Sequence, residues 1–461
     1  MDKYKKKESW KSIVSIILVV LLAFGVFASV SVLFQKDSGK PKPIRPAEEF
    51  KVAEVEYNPT FGADFKENYP ISMLTLTDNM DVAPYAYSDT TLFSGKRITK
   101  IEAPIATVSA VDKNQYFTLF VIKNSQAKVG GCYTNADYKE FKVYLPKEEL
   151  TSTTVDKWIS IDLSDQFIYV AEDETLAFMK STDPVKCRYG QIAGDGFIYA
   201  LNSAGREQKT QSIYYGIYTD EVVDLSGKNI SILADSISTF RGISNDATNT
   251  NSTIAGNAVW YPRGEIDKSS ETWWAQTAEA TGMNVLVNNS WSGSRVLNGS
   301  GAAYKTRCEQ LHDNTGDNAG TNPDVIAVYI GINDFNAGLA LGSFEKLSDI
   351  YDKEAGYITP ETVAEAYAIM IHKMIEKYGS SEIFVFTLPA NGTNKDTATL
   401  AKYNEMIKKI ADYFDCYVVD IANIAGYDYA AYTIDGLHPN EGGMDLITDL
   451  FVRTLKGAYH K

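Results

Sequence analysis

The chain has 461 residues, of which 44% are hydrophobic, 22% charged and 12% aromatic, a composition typical of folded domains and not of a disordered chain. Its length is about three times that of a typical domain of ~150 residues, so two domains are expected. The formal net charge of −15 would repel phosphate backbones and argues against nucleic acid as a partner.

The N-terminal segment differs from the rest of the chain. Residues 1–12, MDKYKKKESWKS, are rich in lysine and precede an uncharged run at 13–34 that is long enough to cross a membrane as a helix. Lysines before such a run predict a cytoplasmic N-terminus. We therefore expect a cytoplasmic basic tail (1–12), a transmembrane signal-anchor (13–34) and a Pro/Lys-rich linker (35–49) that holds the body outside the cell membrane. The alternative is a secreted body, released by cleavage of a signal peptide after Val26-Phe27-Ala28.

Residues 50–225 show short alternating apolar runs separated by turn residues. Examples are YFTLFVI at 116–122, FKVYL at 141–145 and IYYGIY at 213–218. Many short strands without a helical pattern are typical of an all-β domain. We expect a β-sandwich of jelly-roll type here.

From about residue 226 to 461, strand and helix patterns alternate. The expected strands are 229–234, 284–288, 324–330, 382–388 and 417–421, and the expected helices include 272–281, 397–414 and 441–458. A further helix is predicted to begin at Thr359 as its cap, with Pro360 in the first helical position. Alternating strands and helices predict a parallel sheet covered on both faces, an α/β domain.

Four polar segments follow expected strands of this domain: ADSIS (234–238), SWSGS (290–294), GIND (331–334) and DGLHPN (435–440). Each segment alone is more typical of a turn or a helix cap than of a functional site. The carboxyl ends of parallel strands, however, meet at the edge of the sheet where ligands bind. Together the four segments therefore predict one site.

The residues in these segments are those that acyl transfer requires. Ser236 is the candidate nucleophile, His438 the base that removes its proton, and Asp435 the partner that orients the imidazole. The backbone N–H groups of Ser236 and Gly293 and the side-chain amide of Asn333 are the candidate oxyanion-hole donors.

This set of residues resembles the GDSL or SGNH hydrolases, whose four sequence blocks contribute Ser, Gly, Asn and His in that order. Here those positions are Ser236, Gly293, Asn333 and His438, and the resemblance covers about residues 226–461. It implies a flavodoxin-like three-layer α/β/α domain and ester hydrolysis by a Ser-His-Asp triad without a cofactor. One position departs from the family, because Ala234 stands where the opening Gly-Asp-Ser has glycine.

Extracellular hydrolases of this family in which a β-sandwich precedes the hydrolase domain resemble carbohydrate esterases. We therefore expect removal of O-acetyl groups from a polysaccharide or peptidoglycan. Asp235, Trp291, Asp334 and Phe335 are candidates for substrate contact, and residues 335–358 for a rim of the cleft or a plain surface loop. The alternatives are a lipid-directed esterase or lysophospholipase, which needs a broad apolar groove, and a non-catalytic glycan-binding surface protein.

The remaining titratable residues suggest no other chemistry. A metal site built from Asp235, Asp334, Asp435 and His438 would leave Gly293 and Asn333 unexplained, so no metal is expected. His372 is expected on a helix surface and His312 in a solvated loop. The cysteines, Cys132 and Cys187 in one half and Cys308 and Cys416 in the other, could form one bridge per half or remain buried thiols.

Overall fold

The computed structural model describes residues 53–56, 75–76, 85–87, 93–124, 138–178, 183–189, 198–202, 205–209, 216–243, 259–299, 301–313, 320–424 and 427–459. The predicted basic tail, signal-anchor and linker (1–49), together with Cys132 and His460, lie outside these residues. Within the described ranges, no helix has both the length and the apolar composition needed to span a bilayer.

The N-terminal half of the described residues consists of antiparallel strands. The strands are β1 (Ala53–Glu56), β2 (Thr75–Leu76), β3 (Tyr85–Tyr87), β4 (Lys96–Val108), β5 (Tyr116–Lys123), β6 (Tyr138–Tyr144), β7 (Thr154–Asp162), β8 (Ile168–Val170), β9 (Glu174–Phe178), β10 (Val185–Tyr189), β11 (Ile198–Asn202), β12 (Gly205–Lys209) and β13 (Gly216–Glu221). One sheet has the order β1-β13-β4-β10-β2, with β7 and β8 also paired to β4. The other has the order β12-β11-β3-β9-β5-β6.

Strands of both sheets contribute to one hydrophobic cluster. Ile101 and Ile105 of β4, from the first sheet, share it with Phe117 and Leu119 of β5, from the second. The alternating apolar pattern of the sequence is explained by this cluster, since every second side chain of a strand faces the same side.

The C-terminal half contains a parallel sheet. Its strands are β14 (Asn229–Ala234), β15 (Asn284–Ser290), β16 (Val325–Tyr329), β19 (Glu382–Phe386) and β20 (Tyr417–Val419). They lie in the order β15-β14-β16-β19-β20, and each neighbouring pair is parallel. This is the 2-1-3-4-5 order of flavodoxin-like sheets, in which the strand order reverses beside β14. The α/β domain expected from the sequence is confirmed.

Helices cover this sheet in two groups. The helices are α1 (Trp273–Thr281), α2 (Ile332–Asn336), α3 (Val363–Lys377), α4 (Thr397–Tyr413), α5 (Tyr429–Tyr432) and α6 (Glu441–Ala458). α1 packs against α6, and α3 packs against α4. Phe451 of α6 contacts Phe386 of β19 and Trp273 of α1 through their rings, so this helix pair lies on one face of the sheet.

The predicted start of α3 is wrong by three residues. Thr362, not Thr359, is the N-cap: its hydroxyl accepts a hydrogen bond from the N–H of Glu365, whose carboxylate accepts one from the N–H of Thr362. This reciprocal capping box satisfies two donors at once, an advantage that a proline in the first turn does not provide.

The segment 335–358, predicted as a rim or a plain loop, is packed into the domain. Phe344, Leu347 and Ile350 belong to the core cluster of the parallel-sheet domain. A short hairpin follows, formed by β17 (Tyr351–Asp352) and β18 (Gly356–Tyr357).

The two halves meet along α6. The guanidinium of Arg453 on α6 donates two hydrogen bonds to the carboxylate of Glu174 on β9, at 2.6 and 2.5 Å, and both side chains are buried. Asp449, one turn earlier, accepts from Arg453 and from Lys139 of β6. The helix that follows the DGLHPN segment is therefore fixed to the antiparallel half by a buried ion pair.

Candidate active site

Ser236, His438 and Asp435 lie together at the carboxyl edge of the parallel sheet. The Nε2 atom of His438 is 2.9 Å from the Oγ atom of Ser236, and its Nδ1 atom is 2.9 Å from Oδ2 of Asp435. Ser236 and His438 are separated by 202 residues in the sequence, and both are buried. The structure thus brings together the three residues that the sequence predicted as a triad.

Ser236 is placed directly after β14. Asp235 begins a single 3₁₀ turn, Ser236–Ser238, and its Oδ1 atom accepts a hydrogen bond from the N–H of Ile237. Ala234, the residue that departs from the family glycine, is the last residue of β14 and is not among the residues with positive φ. Its methyl group is therefore compatible with the backbone at this position.

The His438 loop is held by its own aspartate. Oδ1 of Asp435 accepts from the N–H groups of Leu437 and His438, while Oδ2 faces the imidazole. Gly436 adopts a φ of +88°, a conformation that favours glycine, and this turn allows the carboxylate to reach both groups. Asn440 then caps α6 by accepting from Gly443.

The three predicted oxyanion-hole donors are positioned by neighbouring loops. Gly293 is exposed, with a φ of +73°, and within the described ranges neither its N–H nor that of Ser236 donates to a protein acceptor. The Nδ2 atom of Asn333 donates to the carbonyl of Ser294 at 3.0 Å, which uses one of its two amide hydrogens. The second hydrogen remains for a ligand.

Asp334 and Phe335, which we expected to contact substrate, have other partners. The carboxylate of Asp334 is fully buried and accepts from the N–H groups of Val296 and Leu297, at 2.8 and 3.0 Å. The Phe335 ring is 1% exposed and packs edge-on against Tyr403. We therefore correct this expectation: both residues hold the loops of the site from behind, where a substrate has no access.

Asp235 and Trp291 also lie inside the protein, around a buried arginine. Arg307 donates to the carbonyls of Ala234, Asn289 and Gly301 and lies 4.5 Å over the Trp291 ring. Trp291 is 6% exposed, so it supports the Gly293 loop and presents little surface to a ligand. The Oδ2 atom of Asp235 is buried without a hydrogen-bond partner among the described residues.

Burial and hydrogen bonding set the charges of the site. Burial lowers the pKa of His438 below its ordinary value, the Asp435 carboxylate opposes this, and the charge of Arg263 lowers the pKa further. Burial acts to raise the pKa of Asp435, but hydrogen bonds from the backbone and imidazole of His438 outweigh it and bring this pKa below its usual range. The arrangement therefore favours a neutral imidazole beside an ionised carboxylate, as a general base requires.

Trp260 is a residue of the site that the sequence analysis missed. Its indole lies flat against the His438 imidazole, with centroids 3.6 Å apart and planes 9° apart. It belongs to a segment, residues 259–266, that we call the Trp260 turn. Residue 260 stands in no recognisable motif and lies far from His438 in the sequence, so no signal in the sequence could have linked them.

The Trp260 turn is bonded to both catalytic loops. The N–H of Trp260 donates to Oγ1 of Thr239 at 2.8 Å, and the N–H of Arg241 donates to the carbonyl of Tyr261 at 3.0 Å. The hydroxyl of Tyr261 donates to the carbonyl of Pro439 at 2.6 Å. These bonds connect the loop after Ser236 to the loop that carries His438.

The other histidines and cysteines lie elsewhere. His372, predicted on a helix surface, is 2% exposed, and its Nδ1 atom is 2.7 Å from the hydroxyl of Tyr357, so that prediction is wrong. His312 is half-buried, with Nδ1 3.0 Å from the hydroxyl of Tyr378. The thiols of Cys308 and Cys416 donate to the carbonyls of Tyr304 and Phe414, so these two cysteines are not bridged to each other. Among the residues with described positions, no group of three or more His, Cys, Asp or Glu side chains is arranged to hold a metal ion.

Comparison with known proteins identifies a family for the parallel-sheet domain. Residues 228–455 match the family model of GDSL-like lipases/acylhydrolases. A multidomain esterase of Ruminococcus flavefaciens is 28% identical over 141 residues, which are 30% of this chain and 16% of that protein. The chain thus matches only a small part of this relative.

Two solved structures also match about half of this chain. A Bacteroides ovatus structure named a GDSL-like lipase is 25% identical and covers 49% of this chain and 96% of its own, with a TM-score of 0.36. A catalytic mutant of an acetylxylan esterase of Geobacillus stearothermophilus is 17% identical and covers 50% of this chain and 94% of its own, with a TM-score of 0.32.

The parallel-sheet domain is that of a carboxylic ester hydrolase. Residues 228–455 belong to the GDSL-like lipase/acylhydrolase family, as the resemblance of the four sequence segments predicted.

Proposed function

We propose that the protein is an esterase in which Ser236 is the nucleophile, and that it removes O-acetyl groups from a carbohydrate. The observation that carries this proposal is the continuous contact from Asp435 through His438 to Ser236, with both distances at 2.9 Å. A serine hydroxyl becomes a useful nucleophile only when a base this close can remove its proton.

The reaction follows from the geometry. Ser236 Oγ attacks the acyl carbon while His438 Nε2 takes its proton, and Asp435 holds the Nδ1–H and stabilises the imidazolium. The N–H groups of Ser236 and Gly293 and the amide of Asn333 stabilise the negative oxygen of the tetrahedral intermediate. His438 then returns the proton to the leaving alcohol, and a water molecule, activated in the same way, releases the acid from the acyl-enzyme.

The surroundings of Ser236 favour a small acyl group. Ser236 is only 4% exposed, and the His438 ring that contacts its hydroxyl is itself covered by the Trp260 indole. Large hydrophobic side chains that are exposed within the described residues are few and scattered: Val111, Tyr144, Ile243 and Ile358. A lipid-directed esterase needs a contiguous apolar surface for its acyl chain, so the carbohydrate esterase is the better candidate.

The remaining assignments belong to the same proposal. The shared hydrophobic cluster of the two antiparallel sheets supports a β-sandwich at 50–225, which would hold or orient a glycan. The lysine-rich start and the apolar run at 13–34 support a membrane anchor with an extracellular body. The acetylated glycan would be a wall polysaccharide, peptidoglycan or a dietary polysaccharide.

The test is a substrate panel offered to the full chain: acetylated glycans, together with simple esters of acyl chains of increasing length. We expect the fastest hydrolysis with two-carbon acyl groups, and Ser236→Ala should abolish it without loss of fold. Preference for long acyl chains would identify a lipid esterase instead. Activity that survives in Ser236→Ala would remove Ser236 from the mechanism, and a fully inactive wild type that still binds glycan would identify a non-catalytic binding protein.

A further inference from the structure

The Trp260 turn carries an arginine for which the proposed reaction has no use. Arg263 is exposed, and its guanidinium carbon lies 3.8 Å from the centroid of the Trp260 ring. The same indole is stacked on the His438 imidazole. The guanidinium and the proposed base therefore stack on the same indole, and the charge of Arg263 contributes to the lowered pKa of His438.

Several contacts fix the position of Arg263. Its backbone N–H and carbonyl are both paired with Ile266, which closes the turn. The turn itself is bonded to Thr239 and to Pro439, so it cannot shift without disturbing both loops of the site. A guanidinium presented from such a turn is preorganised, and little entropy is lost when it binds a ligand.

The one structural contact that the described residues offer to the charge of Arg263 is the Trp260 ring. Within the described ranges, no carboxylate forms an ion pair with it, although the chain has 59 acidic residues. Asp435, the acidic residue of the adjacent loop, is bonded to His438.

The geometry leaves the donors of Arg263 available to a ligand. A guanidinium stacked on an aromatic ring keeps its N–H groups in its own plane, directed past the ring. These donors form a planar fork that matches a carboxylate with two parallel hydrogen bonds.

We propose that Arg263 binds a carboxylate of the substrate, so that the preferred substrate is an acetylated acidic glycan, with uronic acid units near the acetylated position. This inference rests on the proposed esterase function and adds the charge of its substrate. An anionic lipid would need an apolar surface for its acyl chain near the Trp260 turn. In the described residues that precede this turn, 216–243, Ile243 is the one large hydrophobic side chain that is exposed, so a glycan fits better.

The test compares two esters that differ only in the carboxylate: a methyl O-acetyl-glucuronide and the methyl O-acetyl-glucoside acetylated at the same position. The wild type should have a higher kcat/KM for the glucuronide than for the glucoside. Arg263→Gln should lower the ratio of these two kcat/KM values by about tenfold, the effect expected when a hydrogen bond to a charged group is lost. Arg263→Lys should restore part of the ratio. The matched control is Lys113→Gln, an equal loss of charge at an exposed residue of the antiparallel half.

Two further measurements separate the subsite from the esterase function. Raising the salt concentration to about 1 M, where charges are screened within about 3 Å, should lower the wild-type ratio but not the ratio of Arg263→Gln. In addition, Ser236→Ala should bind polygalacturonate in affinity electrophoresis, and the double variant with Arg263→Gln should not. This binding is informative even if neither ester is hydrolysed, because a chain of charge −15 is otherwise repelled by a polyanion.

A ratio that stays constant in Arg263→Gln, with or without a general loss of rate, would overturn the proposal, since Arg263 would then act only on Trp260 or His438. Arg263-dependent hydrolysis of an anionic lysophospholipid, with no preference for the glucuronide, would show that the glycan assignment is wrong.

Discussion

The imidazole of His438 is stacked on the indole of Trp260, with centroids 3.6 Å apart and planes 9° apart. This contact buries one face of the ring and prevents it from tilting away from Ser236. Because burial is also the largest cause that lowers the pKa of His438, the same contact controls the position and the protonation of the ring.

The pH dependence of the reaction follows from this burial. A general base acts only in its neutral form, so activity should fall as the pH drops through the pKa of His438. Since that pKa lies below its ordinary value of 6.5, the acidic limb of kcat/KM for a neutral acetyl ester should have its midpoint below pH 6.5. The measurement is the initial rate at low substrate concentration between about pH 4 and 8; a midpoint above 6.5 would contradict the assigned burial.

Removal of the indole should shift this limb. In Trp260→Ala, water reaches the imidazole, the cost of charging it falls, and the midpoint should move to higher pH while kcat decreases. Trp260→Phe keeps a flat apolar ring and should leave the midpoint close to that of the wild type. If both variants lost rate with identical pH profiles, Trp260 would serve only to support the fold.

Asn333 should act on the transition state more than on substrate binding. Asn333→Ala removes one donor to the oxyanion and should lower kcat about 10²–10³-fold with little change in KM. Asn298→Ala is the matched control, because Asn298 is an exposed residue on the neighbouring loop whose side chain, among the described residues, accepts from Arg295 alone. A rise in KM at unchanged kcat would instead place Asn333 in ground-state binding.

Asp235 should make stability depend on pH. Burial raises its pKa to about 7, although the N–H of Ile237 and the charge of Arg307 oppose this. The pKa of Asp235 in the folded state thus exceeds its pKa of about 3.9 in the unfolded chain. The unfolded chain therefore releases this proton first, and the stability that protonated Asp235 contributes is lost as the pH rises from about 4 to 7. Asp235→Asn keeps the acceptor for Ile237 but cannot ionise.

Thermal unfolding of Asp235→Asn and the wild type at about pH 5 and pH 8 tests this prediction. The difference in Tm between the two proteins should shift in favour of the variant as the pH increases. A difference that is the same at both pH values would mean that Asp235 titrates like an exposed carboxylate.

The triad was predictable because Ser236 stands at the end of a strand and its two partners share one short segment. Ser236 follows a strand whose predicted bounds match β14, and Asp435 and His438 are close enough in sequence to suggest their contact. The parallel sheet brings three of the four segments together, since β14, β15 and β16 end at the same edge, whereas the DGLHPN segment follows α5.

The supporting residues were not predictable, for a physical reason. Trp260 and Arg307 act through contacts between distant segments, and neither has a neighbour pattern that distinguishes it from an ordinary core or surface residue. Asp334 and Phe335 were misassigned because a position next to Asn333 does not reveal the direction of a side chain. On the short helix α2 they point into the domain, whereas Asn333 is half-buried.

The ion pair between Arg453 and Glu174 should make the two halves depend on each other for stability. Arg453→Met leaves the Glu174 carboxylate, whose side chain is 3% exposed, without the two hydrogen bonds that compensate its burial. Loss of one partner of a buried pair typically costs about 3–5 kcal/mol, and the lower end is expected here because Lys123 lies 3.7 Å from Glu174. Lys139→Met removes a partly exposed partner of Asp449 and should cost less than about 1 kcal/mol.

Urea unfolding followed by tryptophan fluorescence distinguishes these cases. The double variant Arg453→Met/Glu174→Met should recover much of the lost free energy of unfolding, because a well-packed apolar pair can replace a buried ion pair without an uncompensated charge. If Arg453→Met were as stable as the wild type, α6 would be held to the antiparallel half by packing alone. Because α6 begins directly after the His438 loop, we also expect the destabilised single variant to lose activity at lower urea concentrations than it loses its fluorescence signal.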